Sequence, residues 1–92
     1  TLISGTCDCN AISSVVIGEG VKSIGEWAFD NCTSLTTLYL PESIEYIGAY
    51  AFAYCAALKN VYYSGSADSK NEIYIDEGDY YLNKATWHYE NR

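Results

Sequence analysis

Apolar and polar residues alternate in two short stretches, "LTTLYL" (35–40) and "LKNVYY" (58–63). Each run stops at a turn-former, Pro41 in the first case and Ser64-Gly65 in the second. Period-two alternation closed by such breakers predicts a short strand with one buried face. Leu38 and Leu40 then point inward, while Thr37 and Tyr39 point out. "SIGEWAF" (23–29) and "YIGAYAF" (46–52) carry the chain back along another side, with Ile24, Ala28 and Phe29 turned inward. Gly25 and Gly48 recur at the bend, where a residue without Cβ admits a positive φ or a close backbone approach.

The two stretches are copies of one another. Displacing the sequence by 23 lays Val21, Ile24, Gly25, Ala28, Phe29, Cys32 and Leu35 on Ile44, Ile47, Gly48, Ala51, Phe52, Cys55 and Leu58. Leu38 and Leu40 fall on Val61 and Tyr63. Backward, Cys9, Ile12, Val15 and Ile17 fall on Cys32, Leu35, Leu38 and Leu40. A fixed period of this size with L-x-x-L-x-L spacing is the mark of a leucine-rich-repeat solenoid. One turn cannot hide its apolar groups alone; stacked turns lay strand beside strand at about 4.7–4.9 Å and share a core. The expected fold is mainly β with short helical or irregular turns, in a right-handed leucine-rich-repeat solenoid of 23-residue repeat. A C-terminal β segment is expected to cap it. Residues 1–17 read as a degenerate opening turn, 18–40 and 41–63 as full repeats, and 64–92 as the cap of a single domain.

Composition narrows the classes of partner. Ninety-two residues carry 12 acidic and 5 basic side chains, for a net charge of −7. A nucleic-acid binder needs a basic patch to displace counterions from phosphate, and these cations are scattered. Docking on an anionic membrane is disfavoured for the same reason, and no apolar run of about 18 residues is present to span a bilayer. The chain does not begin with Met and reads as a piece of something longer.

"LTTLYLPESIEYIGAYAFAYCAAL" (35–58) follows L-x-x-L-x-L-P-x-S-[IL]-x-x-I-G-x-x-A-F-x-x-C-x-x-L and resembles the BspA-like leucine-rich repeats of bacterial surface proteins. "LISGT" at the start resembles that family's opening strand. "VYYSGSADSKNEIYIDEGDYYLNKATWHYE" resembles its terminal segment, except that Lys70 stands where a Trp is usual, which predicts looser packing there. The resemblance implies secreted or wall-attached proteins of gut and oral bacteria, acting in adhesion to host proteins or other cells, without a known active site.

Candidate chemistry is sparse. Cys9, Cys32 and Cys55 stand 23 apart, in one inward column. Tetrahedral zinc needs converging ligands, which a straight file does not supply. Parallel strands hold Cβ atoms near 4.8 Å, beyond the roughly 3.5–4.5 Å a disulfide prefers, so buried thiols are expected, with Cys7 an exposed one. His88, the only histidine, is expected to continue the outward column Val16, Tyr39, Tyr62, with Trp87 and Tyr89 facing the core. "IDEGDY" (75–80) lacks the ligand set of a calcium loop and reads as an acidic turn between two cap strands, opened by Gly78. "NCT" (31–33) is formally a glycosylation sequon. No catalytic residue, metal ligand or cofactor is assigned.

The exposed aromatics are the functional hint. Tyr39 and Tyr62 repeat at one strand position, Trp27 and Tyr50 at one position on the return side, joined by Tyr46 and Tyr54. Tyr and Trp offer rigid amphipathic contact area favoured at interfaces; equally, such ladders stabilise neighbouring strands. Tyr39, Tyr62, His88, Trp27 and Tyr50 are the candidate binding residues. The expected function is a non-enzymatic extracellular recognition or adhesion scaffold for a protein or other surface molecule of host or bacterium. A glycan-binding module or a structural spacer within a larger surface protein is the alternative.

Overall fold

The computed structural model describes residues 12–29 and 32–90, together with the main chain of 2–3. The chain passes alternately through two four-stranded parallel sheets. The broad sheet runs β2 (Ser14–Val16), β4 (Thr37–Leu40), β6 (Asn60–Tyr63), β8 (Thr86–Tyr89). The narrow sheet runs β1 (Leu2–Ile3), β3 (Ser23–Ile24), β5 (Tyr46–Ile47), β7 (Tyr74–Ile75). Each unit therefore contributes two strands, where the sequence pattern disclosed one. The "SI" and "YI" dipeptides are too short for alternation to register.

Register follows the sequence period. Ser14 pairs with Thr37 and Thr37 with Asn60, while Ser23 pairs with Tyr46. Beyond residue 63 the period lengthens: Asn60 pairs with Thr86 and Tyr46 with Tyr74. The added length falls between β6 and β7, which holds the one-turn helix α1 (Ala67–Asn71), and a second one-turn helix, α2 (Tyr80–Lys84), lies between β7 and β8. Ser66 starts α1 by accepting the Ser69 N–H at 3.1 Å, which satisfies a donor the helix leaves open. The acidic turn at 76–79 thus leads from β7 into a helix rather than directly into the second strand.

The core lies between the sheets and is filled by equivalent residues in file. Ile24 and Ile47, Leu35 and Leu58, Leu38 and Val61, and Cys32 and Cys55 are all buried. Phe29 stacks on Phe52 with ring centroids 5.3 Å apart. Phe52 is fully buried, with Asp79 of the 64–92 segment bonded to its amide, while Phe29 keeps partial exposure. Ile12, expected to continue the file of Leu35, is 36% exposed. Its neighbour β2 is the edge strand of the broad sheet among the described residues.

Of the two reasons given for a glycine at the bend, close approach is the one that holds at Gly48, and the expectation about the cysteines needs correction. A Cβ on Gly48 would lie 2.7 Å from the Glu26 amide nitrogen and 2.8 Å from the Gly25 carbonyl carbon. Close approach is therefore what excludes a side chain at Gly48. Left-handed φ falls instead on Trp27 (61°), Tyr50 (59°) and Tyr54 (62°). The cysteine column is also chemically mixed. Cys32 is disulfide-bonded, and its partner lies outside the described residues, as do Cys7, Cys9, Asn31 of the sequon and most of the opening turn. Cys55 keeps its thiol, which donates to the Phe29 carbonyl at 3.2 Å. The ladder spacing used against a disulfide applies to strands. Both cysteines sit at corners just before a turn, where no ladder fixes the Cβ direction.

Candidate functional site

Strand register creates the first aromatic column. Pairing of Val16 with Tyr39, Tyr39 with Tyr62 and Tyr62 with His88 brings these residues side by side on the outer face of the broad sheet. Tyr39 stacks on Tyr62 at 5.1 Å and Tyr62 on His88 at 4.6 Å, with planes within 18°. His88 Nε2 is hydrogen-bonded to Asn60 Oδ1 at 3.0 Å; with the amide oxygen accepting, Nε2 carries the hydrogen. Tyr39 remains 42% exposed and Val16 72%. On the opposite strand face Trp87 and Tyr89 pack against the core, Trp87 donating its indole N–H to the Leu82 carbonyl at 3.1 Å. Lys70 places its ammonium 4.9 Å from the centre of the Trp87 ring, a favourable cation–aromatic contact rather than a gap.

The second cluster stands on the return side and is built differently. Trp27 stacks on Tyr50 with centroids 4.6 Å apart and planes 9° from parallel. Both adopt left-handed φ, which costs roughly 1–2 kcal/mol per L-residue. Their amides bond to the next turn, Trp27 N–H to the Ala49 carbonyl and Tyr50 N–H to the Glu77 carbonyl. These bonds and the ring stack hold the conformation. The Tyr50 hydroxyl donates to Glu77 Oε2 at 3.2 Å, and this bond, followed by the nearby negative charge, raises its pKa. Tyr46, grouped with this column from sequence, belongs to another. It stacks on Tyr74 at 5.5 Å on the narrow sheet and donates to Asp76 Oδ2 at 3.1 Å, which raises its pKa in turn.

Sequence reasoning missed Tyr74, Tyr80 and Tyr81. All three lie past residue 63, where the period of 23 no longer predicts alignment. It also missed Asp79, 1% exposed beneath the 64–92 segment. Asp79 Oδ1 accepts the Phe52 N–H at 2.9 Å, whereas one repeat earlier the Phe29 N–H donates to the Ala51 carbonyl at 2.7 Å. A side-chain carboxyl oxygen thus replaces a main-chain acceptor. Its Oδ2 is buried without a hydrogen-bond partner. Burial, and then the charge of Asp76, push its pKa up from 3.8 to about 7, although the Phe52 and Ala51 amides pull the other way. "GDY" resembles any turn; nothing in it marks a buried acid.

Other chemistry is thinly represented. Among the described residues no group of three or more His, Cys, Asp and Glu is placed to hold a metal ion. Cys55 lies in the interior while His88 faces outward, so the two are not brought together. No helix among the described residues is long and apolar enough to cross a membrane.

Compared with known proteins, the sequence matches the family model described as the BspA type leucine rich repeat region (6 copies), over residues 6–78. The chain belongs to the BspA-type leucine-rich-repeat family. No curated protein and no solved structure matches it. BspA-type repeats are typically surface-associated in bacteria, and leucine-rich-repeat families are generally non-enzymatic scaffolds for protein interaction. The two parallel sheets, with one strand each per unit, are the form this BspA-type repeat takes here.

Proposed function

We propose that this BspA-type domain is an extracellular recognition scaffold, a short solenoid capped by residues 64–92, which binds a protein partner through the Tyr39–Tyr62–His88 column. The observation that carries this reading is the outward stack itself. Three aromatic rings are held in register by parallel strands, with Tyr39 exposed and Tyr62 and His88 partly exposed. Stacking fixes their rotamers before binding, so less side-chain entropy is lost on association. Val16 extends the strip with an apolar surface. The disulfide at Cys32 suits an oxidising compartment, in keeping with a secreted or wall-attached location.

The test compares the domain with its Tyr39→Ala/Tyr62→Ala double variant, both checked for equal circular dichroism. Each is titrated against purified extracellular-matrix and serum proteins and applied to a glycan array. A protein ligand bound by the wild type and lost in the variant supports the reading. Binding confined to glycans and lost in the variant replaces it with a sugar-binding module. Equal behaviour of both forms leaves the domain a structural spacer and removes the column from any recognition role.

A further inference from the structure

The return side carries a hollow with a character the sheet face lacks. Trp27, Tyr50, Tyr54, Gly78, Tyr80 and Tyr81 line a cavity of about 240 Å³. Three of its aromatic residues, Trp27, Tyr50 and Tyr54, hold the disfavoured left-handed φ, and backbone strain of this kind collects at ligand sites. The Tyr80 and Tyr81 rings meet at 78° with centroids 5.0 Å apart, so they form a corner rather than a platform. A flat pyranose stacks best on a platform, whereas a compact rounded group fills a corner. The volume falls below the roughly 300–1,000 Å³ of drug-sized ligand sites and suits a single head group.

Charge identifies the group. Aromatic faces attract cations through their quadrupole. The Tyr50 ring is stacked on Trp27 and lies against Gly78, so the faces open to a cation are those of the exposed Tyr54 and Tyr80. Lys84 already lies with Nζ 5.7 Å from the Tyr80 ring centre, so one wall of the hollow draws an ammonium from within the chain. The chain as a whole carries −7.

We propose that this hollow binds a quaternary ammonium head group of the choline type, its methyl groups and charge against the rings of Tyr54, Tyr80 and Tyr81. The site is separate from the Tyr39–Tyr62–His88 column and does not depend on that column binding anything.

Choline is titrated into the domain through the millimolar range at constant ionic strength, with the Trp27 indole N–H followed by NMR. The uncharged isostere, with a tert-butyl group in place of trimethylammonium, is the control. Phosphocholine and trimethyllysine run alongside to separate the two sources of such a head group. A saturable choline shift is expected, with the isostere at least about tenfold weaker, equivalent to about 1.4 kcal/mol. Tyr54→Leu and Tyr80→Leu, at 67% and 62% exposure, leave the core intact and should each weaken choline binding severalfold. Lys84→Ala should strengthen it by freeing the Tyr80 face, and Tyr39→Ala/Tyr62→Ala should leave it unchanged. Absence of a saturable choline shift overturns the proposal. So does equal binding of the isostere, or a shift of the same signal by a methyl glycoside and not by choline.

Discussion

Cys32 and Cys55 occupy the same corner one repeat apart, yet the repeats they belong to are fastened to their surroundings by different means. Around residues 18–40 the fastening is covalent: Cys32 is disulfide-bonded to a cysteine outside the described residues. Around residues 41–63 the corresponding sulfur is a thiol that donates to the Phe29 carbonyl. There the fastening is polar and buried, with Asp79 supplying the acceptor for the Phe52 amide. A disulfide is indifferent to pH in the neutral range and vulnerable to reductant. A buried carboxyl has the opposite sensitivities. Equivalent repeats thus share an interior without sharing a response to the environment.

The largest effect should come from removing the file they have in common. Phe52→Ala is expected to cost about 3–5 kcal/mol, whereas Phe29→Ala should cost less because Phe29 is only partly buried. Urea melts of the two variants check the order, and equal losses would deny that the 64–92 segment deepens the second repeat. Reduction of the disulfide, or Cys32→Ser, should cost about 2–4 kcal/mol and leave the protein folded enough to show a lowered, still cooperative thermal transition. Cys55→Ser should show no sensitivity to reductant beyond that of the wild type.

Asp79 gives the third contrast. Folded, it keeps its proton up to about pH 7, while its ordinary value is 3.8. Between those values the folded chain holds the additional proton, so stability falls as pH rises. The contribution is fully present below about pH 4 and lost above about pH 7, with a span on the order of 2–4 kcal/mol. Asp79→Asn retains an acceptor for Phe52 without the charge, and should flatten the profile between pH 4 and 7 in denaturant melts. An unchanged slope would assign the dependence to other groups. The smallest stability effect is expected for Tyr39→Ala, below about 1 kcal/mol, because the lost contacts are cross-strand ring pairs at an exposed position.

Most of the scaffold was legible because burial repeats. Leu38 and Val61, Ile24 and Ile47, Phe29 and Phe52 align at a fixed offset, and any period imposed by stacking appears directly in the sequence. The strand column Tyr39, Tyr62, His88 was legible for the same reason, with alternation supplying the outward direction. What escaped detection lies where the period breaks. Tyr80 and Tyr81 line the hollow beside Trp27 and Tyr50 from α2, in a stretch whose spacing departs from that of the earlier repeats. Asp79 looks like a turn residue until the segment folds over it. The second sheet was hidden by brevity, since two residues cannot display alternation. The disulfide was misjudged by applying strand geometry to a corner. Left-handed φ at Trp27, Tyr50 and Tyr54 runs against residue preference, so nothing in the sequence announced it.

At Gly48 one coil of main chain rests directly on the one before, with atoms of Glu26 and Gly25 where a methyl group would stand. That contact acts as the ruler of the whole array. Alanine at this position would have to pry two coils apart, and because strands and rings ride on the same coils, the gap would open beneath Trp27 and Tyr50 as well. The spacing of the surface that meets the outside world is therefore dictated by a missing side chain deep in the bend.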